Sequence, residues 1–310
     1  MRLFLLVLLT IAFPTLAQDD MTPKAWLENM SQALRQQEFK ISLIQLQADH
    51  IRPLVYIHGH VDDQEVAFLE HLNGPPKNAV RVGNTVTFIE HDQPAYSVKA
   101  NRIQGVVPPA FAGDISGLEA GYQFVLAGRS RLAGRPSQSI RIIPKDDMRY
   151  SYQVWLDMET YLPLRYDMLS QDKQLLEQIL VVELHVLDDA PEILKEAYKQ
   201  DWPPVIKQSE RIPADNWQFT WLPVGFEVLV KDSHRLIGSH EAVEYISLSD
   251  GLTHISVYVA RAGETVLPEE IVGRNGLSLS TIRKGNAEIV AVGKAPAETL
   301  TRIAQSITIE

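Results

Sequence analysis

Arg149-Tyr150-Ser151-Tyr152-Gln153-Val154-Trp155-Leu156-Asp157 is the stretch on which the fold turns. Tyr150, Tyr152, Val154 and Leu156 share one face of an extended chain, with Ser151, Gln153 and Asp157 opposite, because successive side chains of a strand point to alternate faces. Downstream, Leu162, Leu164, Tyr166 and Met168 keep the same period up to a turn at Ser170-Gln171-Asp172-Lys173. Leu176, Leu180, Val182, Leu184 and Val186 then alternate on the return strand. Alternating runs joined by short turns predict an antiparallel meander with one buried face, not βαβ units.

Upstream, the pattern extends back to residue 38. Phe39, Ile41 and Leu43 alternate, Val66, Phe68, Glu70 and Leu72 lead to a turn at Asn73-Gly74-Pro75-Pro76, and Tyr122, Phe124 and Leu126 share a face. One helix precedes the strands. Thr22 is a capping residue, Pro23 stands at the first helical position, and Trp26, Met30, Ala33 and Leu34 make one apolar stripe to lay on the sheet. Residues 101–121, with Val106-Val107-Pro108-Pro109-Ala110-Phe111 and four glycines, break the strand pattern and read as a long loop. Such a loop is either functional or a loose surface excursion.

Residues 191–212 read as a linker with a short helix from Pro191 to Lys199, closed by Trp202-Pro203-Pro204. The pattern restarts at 213–310, where Asp250-Gly251 and Gly285-Asn286 mark hairpins and Pro296 opens a final helix carrying Leu300 and Ile303. The expected division is thus 18–190, a linker at 191–212 and 213–310, an α+β chain that is mainly antiparallel β.

The first seventeen residues stand apart. Arg2 is their only charge, Leu3 to Phe13 is apolar, Pro14 breaks the run, and Thr15-Leu16-Ala17 precedes Gln18. This is the layout of a secretory signal peptide with cleavage before Gln18, and it is too short for a membrane span of about 20 apolar residues. The mature chain is expected to be soluble and periplasmic. With no cysteine in the chain there is no disulfide, no thiolate chemistry and no cysteine for a lipid anchor. The net charge of −10 leaves no basic footprint for nucleic acid.

Catalytic signatures are missing: there is no G-x-S-x-G elbow, Walker A loop or dinucleotide fingerprint. His240-Glu241-Ala242-Val243-Glu244 misses the second histidine of a zinc helix, and His58-Gly59-His60 lacks a third ligand and reads as a solvent-facing pair. Asp62-Asp63, Asp146-Asp147 and Asp188-Asp189 are neighbours pointing opposite ways, so they read as turn residues and not as a dyad. No catalytic residue, metal site or cofactor is expected. Trp155, Trp217 and Trp221 are core residues by default and partner contacts if exposed.

The opening stretch, with Glu159, Leu162-Pro163-Leu164-Arg165-Tyr166-Asp167 and Leu176-Glu177-Gln178, closely resembles the RseB/MucB family. So do Leu72-Asn73-Gly74-Pro75-Pro76 with Arg81 and Gly83, Trp221-Leu222-Pro223-Val224-Gly225-Phe226, Ser249-Asp250-Gly251-Leu252, Asn286-Ala287-Glu288-Ile289 and Val292-Gly293. The likeness covers nearly the whole mature chain. It implies a half-open β-barrel like that of the lipoprotein carrier LolA, followed by a small mixed α/β domain. It also implies a periplasmic negative regulator of the sigma-E response. Such a regulator binds the periplasmic domain of the anti-sigma factor RseA, shields it from the site-one protease DegS, and is relieved by lipid, lipopolysaccharide or lipoprotein acyl chains.

On that reading, Tyr152, Val154, Leu164, Tyr166, Leu180 and Val182, on the apolar faces of three consecutive strands, are the candidates to line a lipid cavity, unless that face is sealed core. The resemblance places much of the anti-sigma contact in the C-terminal domain. Trp221, Leu222, Phe226, Asp250 and Gly251 are its candidates there, although Trp221 and Phe226 would equally serve to staple two domains. A periplasmic lipid or lipoprotein carrier is the competing function. Homo-oligomer formation is left open.

Overall fold

The computed structural model describes residues 21–47, 50–206, 217–234, 243–261 and 276–309. The expected signal peptide and the His240 to Ala242 part of the near-miss zinc motif lie outside them. Helix α1 (Pro23–Gln36) begins as its sequence predicts: the Thr22 side chain accepts a 3.2 Å hydrogen bond from the Ala25 N–H, and Pro23 opens the first turn. Trp26, Leu27, Met30, Ala33 and Leu34 are buried and belong to the main core.

Eleven strands follow: β1 (Phe39–Gln47), β2 (His50–Val61), β3 (Gln64–His71), β4 (Lys77–Val82), β5 (Thr85–Glu90), β6 (Gln93–Lys99), β7 (Tyr122–Leu132), β8 (Arg135–Pro144), β9 (Ser151–Asp157), β10 (Pro163–Leu169) and β11 (Leu175–Val186). They form one antiparallel sheet in the order β6-β5-β4-β3-β2-β1-β11-β10-β9-β8-β7. β6 and β7 are consecutive in sequence but lie at opposite edges, so the sheet stays open, a half-open barrel. Their connection must cross the open side. This is residues 100–121, the expected loop, and it is packed, not loose: Ile103, Val106, Phe111, Ile115 and Leu118 are buried, with short 3₁₀ turns at Pro109–Ala112 and Ser116–Ala120. We call it the strap.

The stretch expected to be a linker is in its first part tied to the barrel. Helix α2 (Glu192–Lys199) sets Leu194 and Ala197 against Ile57, Val66 and Val80 on the outer face of the sheet. Val205 bridges Ser97 of β6. The smaller domain contains β12 (Trp217–Phe219), β13 (Glu227–His234), β14 (Val243–Ser249), β15 (His254–Arg261), β16 (Ser278–Lys284), β17 (Ala287–Gly293), α3 (Ala297–Ser306) and β18 (Ile307–Ile309). Its sheet runs β13-β14-β15-β17-β16, and β12 pairs with β18. Leu300, Ile303 and Ala304 of α3 are fully buried in the core of this domain. The architecture is therefore α+β and mainly antiparallel, a half-open barrel plus a small mixed domain.

One sequence expectation slipped. Gln45, Ile179, Tyr166, Val154, Ile140 and Leu126 stand side by side across six strands on the concave face. Ile179 and Val181 of β11 thus face inward, whereas Leu180 lies in the outer row with Ile44, Arg165 and Trp155, and Val182 is 50% exposed. A bulge at Ser42/Leu43, opposite Val182, shifts the register there.

Candidate functional site

The concave face leaves a cavity of about 380 Å³ beneath α1 and the strap. Phe39, Ile41, Leu43, Tyr166, Ile179 and Val181 come from the sheet, Leu34 and Arg35 from α1, and Ile103, Val106 and Val107 from the strap. This volume lies in the range of small-molecule sites, about 300–1,000 Å³. One wall is polar. Glu65 takes two hydrogen bonds from Arg81, at 2.5 and 2.7 Å, and stands 3.0 Å from His58 Nε2. Burial works against its charge, but the bonds to His58 and Arg81 prevail and hold the Glu65 carboxyl down at about 2. His58 is buried, with Nδ1 2.8 Å from the Gln37 carbonyl, and so is not the solvent-facing residue its sequence suggests. His60 pairs with Glu38 at 2.9 Å. Both imidazoles thus hold the β1–β2 region together. Among the described residues no group of three or more His, Cys, Asp or Glu is placed to hold a metal ion.

A second cavity, about 470 Å³, lies between the two domains. Tyr152 and Met168 line it from the barrel, Leu252, Leu277 and Val292 from the small domain. Arg102, Val107, Tyr166 and Ile179 line both cavities, so the two share a wall.

Beside the second cavity the domains are locked. The tip of the β14–β15 hairpin enters the barrel's open side, and its Asp250 accepts from Arg149 Nη1 at 2.8 Å and from the Tyr122 hydroxyl at 3.0 Å. The other Asp250 oxygen accepts from the backbone N–H groups of Leu252 and Thr253. Arg149, fully buried, also donates to Asp146 and to the Val224 carbonyl, and lies between the Tyr122 and Phe226 rings, 5.2 Å from each centroid. Burial pushes the Asp250 carboxyl up, and the N–H of Thr253 and the Arg149 charge work against it. Gly251 donates nothing to this network, but its carbonyl accepts from the strap's Ala110 N–H at 3.1 Å. Its φ of +94° suits glycine, and a Cβ there would lie 3.1 Å from Leu118 and 3.2 Å from Ala110. Gly121 has an ordinary φ, but a Cβ there would run into the buried Arg149 guanidinium.

The candidate residues therefore separate. Tyr166 lines both cavities and Tyr152 the one between the domains. Val154 and Leu164 are fully buried core, while Leu180 and Val182 are on the outer face. Asp250, Gly251 and Phe226 sit in the domain seam. Trp221 is half-buried under Arg302, 3.8 Å from its ring centroid, and Leu222 packs against the small domain's core. Trp155 is likewise half-buried beneath Arg165, and Trp217 is core. Arg149, whose buried partner Asp250 is distant in sequence, and the strap's anchors carry no local signal that would have marked them in advance.

Sequence profiles of the MucB/RseB N-terminal and C-terminal domains match residues 22–206 and 211–308. The chain belongs to the MucB/RseB family. RseB, the sigma-E factor regulatory protein of Haemophilus influenzae, is 30% identical over 291 residues, 93% of this chain and 92% of that protein. The protein of the same name from Escherichia coli K12 is 32% identical over 287 residues, 91% and 89% of the two chains. The solved complex of MucA and MucB from Pseudomonas aeruginosa superposes with a TM-score of 0.73 at 23% identity, covering 93% of this chain and 99% of that one. The RseB/MucB half-open barrel and second domain are thus the fold of this chain. Among its described residues no helix is long and apolar enough to cross a membrane.

Proposed function

We propose that this chain is a periplasmic regulator of a sigma-E-type envelope stress response. It holds the periplasmic segment of an anti-sigma factor of the RseA kind and shields it from site-one proteolysis. The supporting observation is that the likeness to sigma-E regulatory proteins runs through both domains, in a structure where those domains are locked along one seam. MucB, with the same fold, has been solved in complex with MucA. On this reading the chain is a binding protein and not a catalyst, and its buried ionisable groups serve structure.

A lipid, lipopolysaccharide or lipoprotein acyl chain in the barrel cavity relieves the shielding. The energies suffice provided that the acyl chain binds the partner-free state in preference to the bound one. Burying an acyl chain gains about 0.8 kcal/mol per methylene, so ten methylenes gain at most roughly 8 before ordering costs. Turning a mostly bound population into a mostly free one takes about 5.5 kcal/mol of differential affinity. Carriage of lipids or lipoproteins is the alternative, but a carrier has no use for a second domain bolted across the open side of its barrel. A pull-down from detergent-solubilised envelope tests the choice. Recovery of an anti-sigma factor is expected; recovery of mature lipoproteins in its place would overturn regulation in favour of carriage.

A further inference from the structure

The two edges of the barrel sheet are treated differently. At the β6 edge, Val205 bridges Ser97, and the Ile206 N–H donates to the Ser97 carbonyl at 2.8 Å. The β7 edge has no pairing strand among the described residues. An open edge of this length is a template for another strand, and folded proteins normally cover or blunt it.

The bare edge has a distinct charge. From Ala120 to Lys145 there is no Asp or Glu, while Arg129, Arg131, Arg135, Arg141 and Lys145 are all positive, in a chain of net charge −10. Arg135 is paired with Asp157 and Glu159. The others meet no carboxylate among the described residues: Arg129 donates to Gln138, Arg131 to the Gly134 carbonyl and Lys145 to the Glu119 carbonyl. Arg129 and Arg131 are exposed.

The backbone of β7 is aimed to match. Leu132 pairs with Arg135 around Ala133-Gly134, both at positive φ, a two-residue hairpin turn. Its closing pair is hydrogen-bonded, so Ser130 and Ser137 also bond each other, and Arg129 and Arg131 turn their backbone groups outward. Pro136, which has no N–H, stands opposite Arg131 as that phase requires. A bulge shifts the register between Leu126 and Arg129; below it the Lys145 backbone N–H donates to the Gly121 carbonyl, which makes Gln123 and Val125 the bonded positions and leaves the backbone groups of Leu126 facing out. The start of β7 also adjoins the small domain: Gly225 packs on Ala120 and Gly121, next to Val224, which is 66% exposed.

We propose that the β7 edge receives an extended, acidic segment of the partner polypeptide as an added strand. Main-chain bonds at Leu126, Arg129 and Arg131 give it affinity, and the arginine side chains select its charge. The proposal rests on the reading that this chain holds an anti-sigma factor. Because β7 is contiguous with the Val224 surface, the same segment reaches both domains across the seam. Arginines on an open edge also discourage self-pairing, and that role needs no partner.

The test uses the full-length protein and the purified periplasmic segment of the anti-sigma factor. On complex formation, hydrogen exchange at the Leu126, Arg129 and Arg131 amides is expected to slow at least tenfold. Arg129→Glu with Arg131→Glu is expected to raise Kd at least tenfold and flatten its salt dependence, with thermal stability unchanged. Lys195→Glu with Lys199→Glu on α2 serves as the charge-matched control and leaves Kd in place. Full affinity without protection at the three amides overturns the proposal but leaves partner binding standing. No binding of the segment by the unaltered protein overturns both. If the arginines instead bind phosphatidylglycerol vesicles while the segment binds elsewhere, the edge is a membrane contact and the proposal fails.

Discussion

The barrel cavity and the domain seam are neighbours built on opposite principles. The cavity is closed by apolar contact: Leu34 of α1 and Ile103 and Val106 of the strap lean over Phe39, Ile41 and Val181, and leave space of about 380 Å³. Apolar contact has no preferred direction, so such a lid tolerates rearrangement around a guest. At the seam, Arg149, Asp250, Tyr122 and the Thr253 N–H satisfy one another in a single geometry. A buried network of this kind is stable when complete and costly when one member is missing. One region accommodates and the other is intact or broken, and the two meet at Tyr166, Ile179 and the strap.

The largest effect is expected at the seam. Arg149→Met leaves Asp250 buried without its cation, at a cost of about 3–5 kcal/mol. Urea denaturation should show it, with the small domain melting apart from the barrel. A single transition at the original midpoint would mean that the network does not hold the domains together.

The polar wall of the cavity comes next, and its effect depends on pH. Glu65 titrates at about 2 when folded against an ordinary value of 4.5, so the folded state gives up that proton more readily than the unfolded one. The stability gained, about 3 kcal/mol, is complete above pH 4.5 and is lost as pH falls towards 2. Glu65→Gln should therefore be less stable at neutral pH and lose less on acidification; parallel acid-unfolding curves for the two proteins would remove Glu65 from the account.

The accommodating region is probed by filling it. Val181→Phe is expected to weaken binding of a fluorescent fatty acid about tenfold, which is about 1.4 kcal/mol, with stability nearly unchanged because the ring enters existing space. Undiminished binding would put the acyl chain elsewhere, the inter-domain cavity being the next place to look. The smallest effect belongs to the outer face. Val182→Thr should stay within about 0.5 kcal/mol of the original protein and leave fatty-acid binding unaltered, whereas a loss of binding would return β11's outer row to the site.

These contrasts also explain what could be read from the chain alone. Capped α1, the alternation of Tyr150 to Leu156 and the turns at Asp250-Gly251 and Gly285-Asn286 are local signals, and local geometry obeyed them. Ile179-Leu180-Val181-Val182 is apolar in both phases. Alternation therefore could not choose the inward pair, which is settled by a bulge on β11 itself, where Val182 is the extra residue between the partners of Ser42 and Leu43. The strap's anchors, Ile103, Val106, Phe111, Ile115 and Leu118, follow no regular period because they fit a hollow made by other elements. Arg149 was legible only as part of a family motif, since the carboxylate that justifies burying it is on the far hairpin. Of the site, the concave-face residues Tyr152 and Tyr166 were within reach of sequence, as were Phe226, Asp250 and Gly251 as candidates in the second domain, but the pairing of Asp250 with Arg149 and Tyr122 was not.

The central position of β1 has a consequence in time. Phe39 pairs with His58 on one side and with Val186 on the other. A chain emerging from its N-terminus can form the local hairpins from β1 to β6 early, but β1's second neighbour arrives last. Until β11 is present, the middle of the future sheet is a raw edge beside an uncovered apolar floor. Long-range pairings of this sort slow folding and expose aggregation-prone intermediates. The barrel is therefore most vulnerable just before its eleventh strand arrives, and a chain cut short of Leu175 should be a substrate for chaperones and proteases.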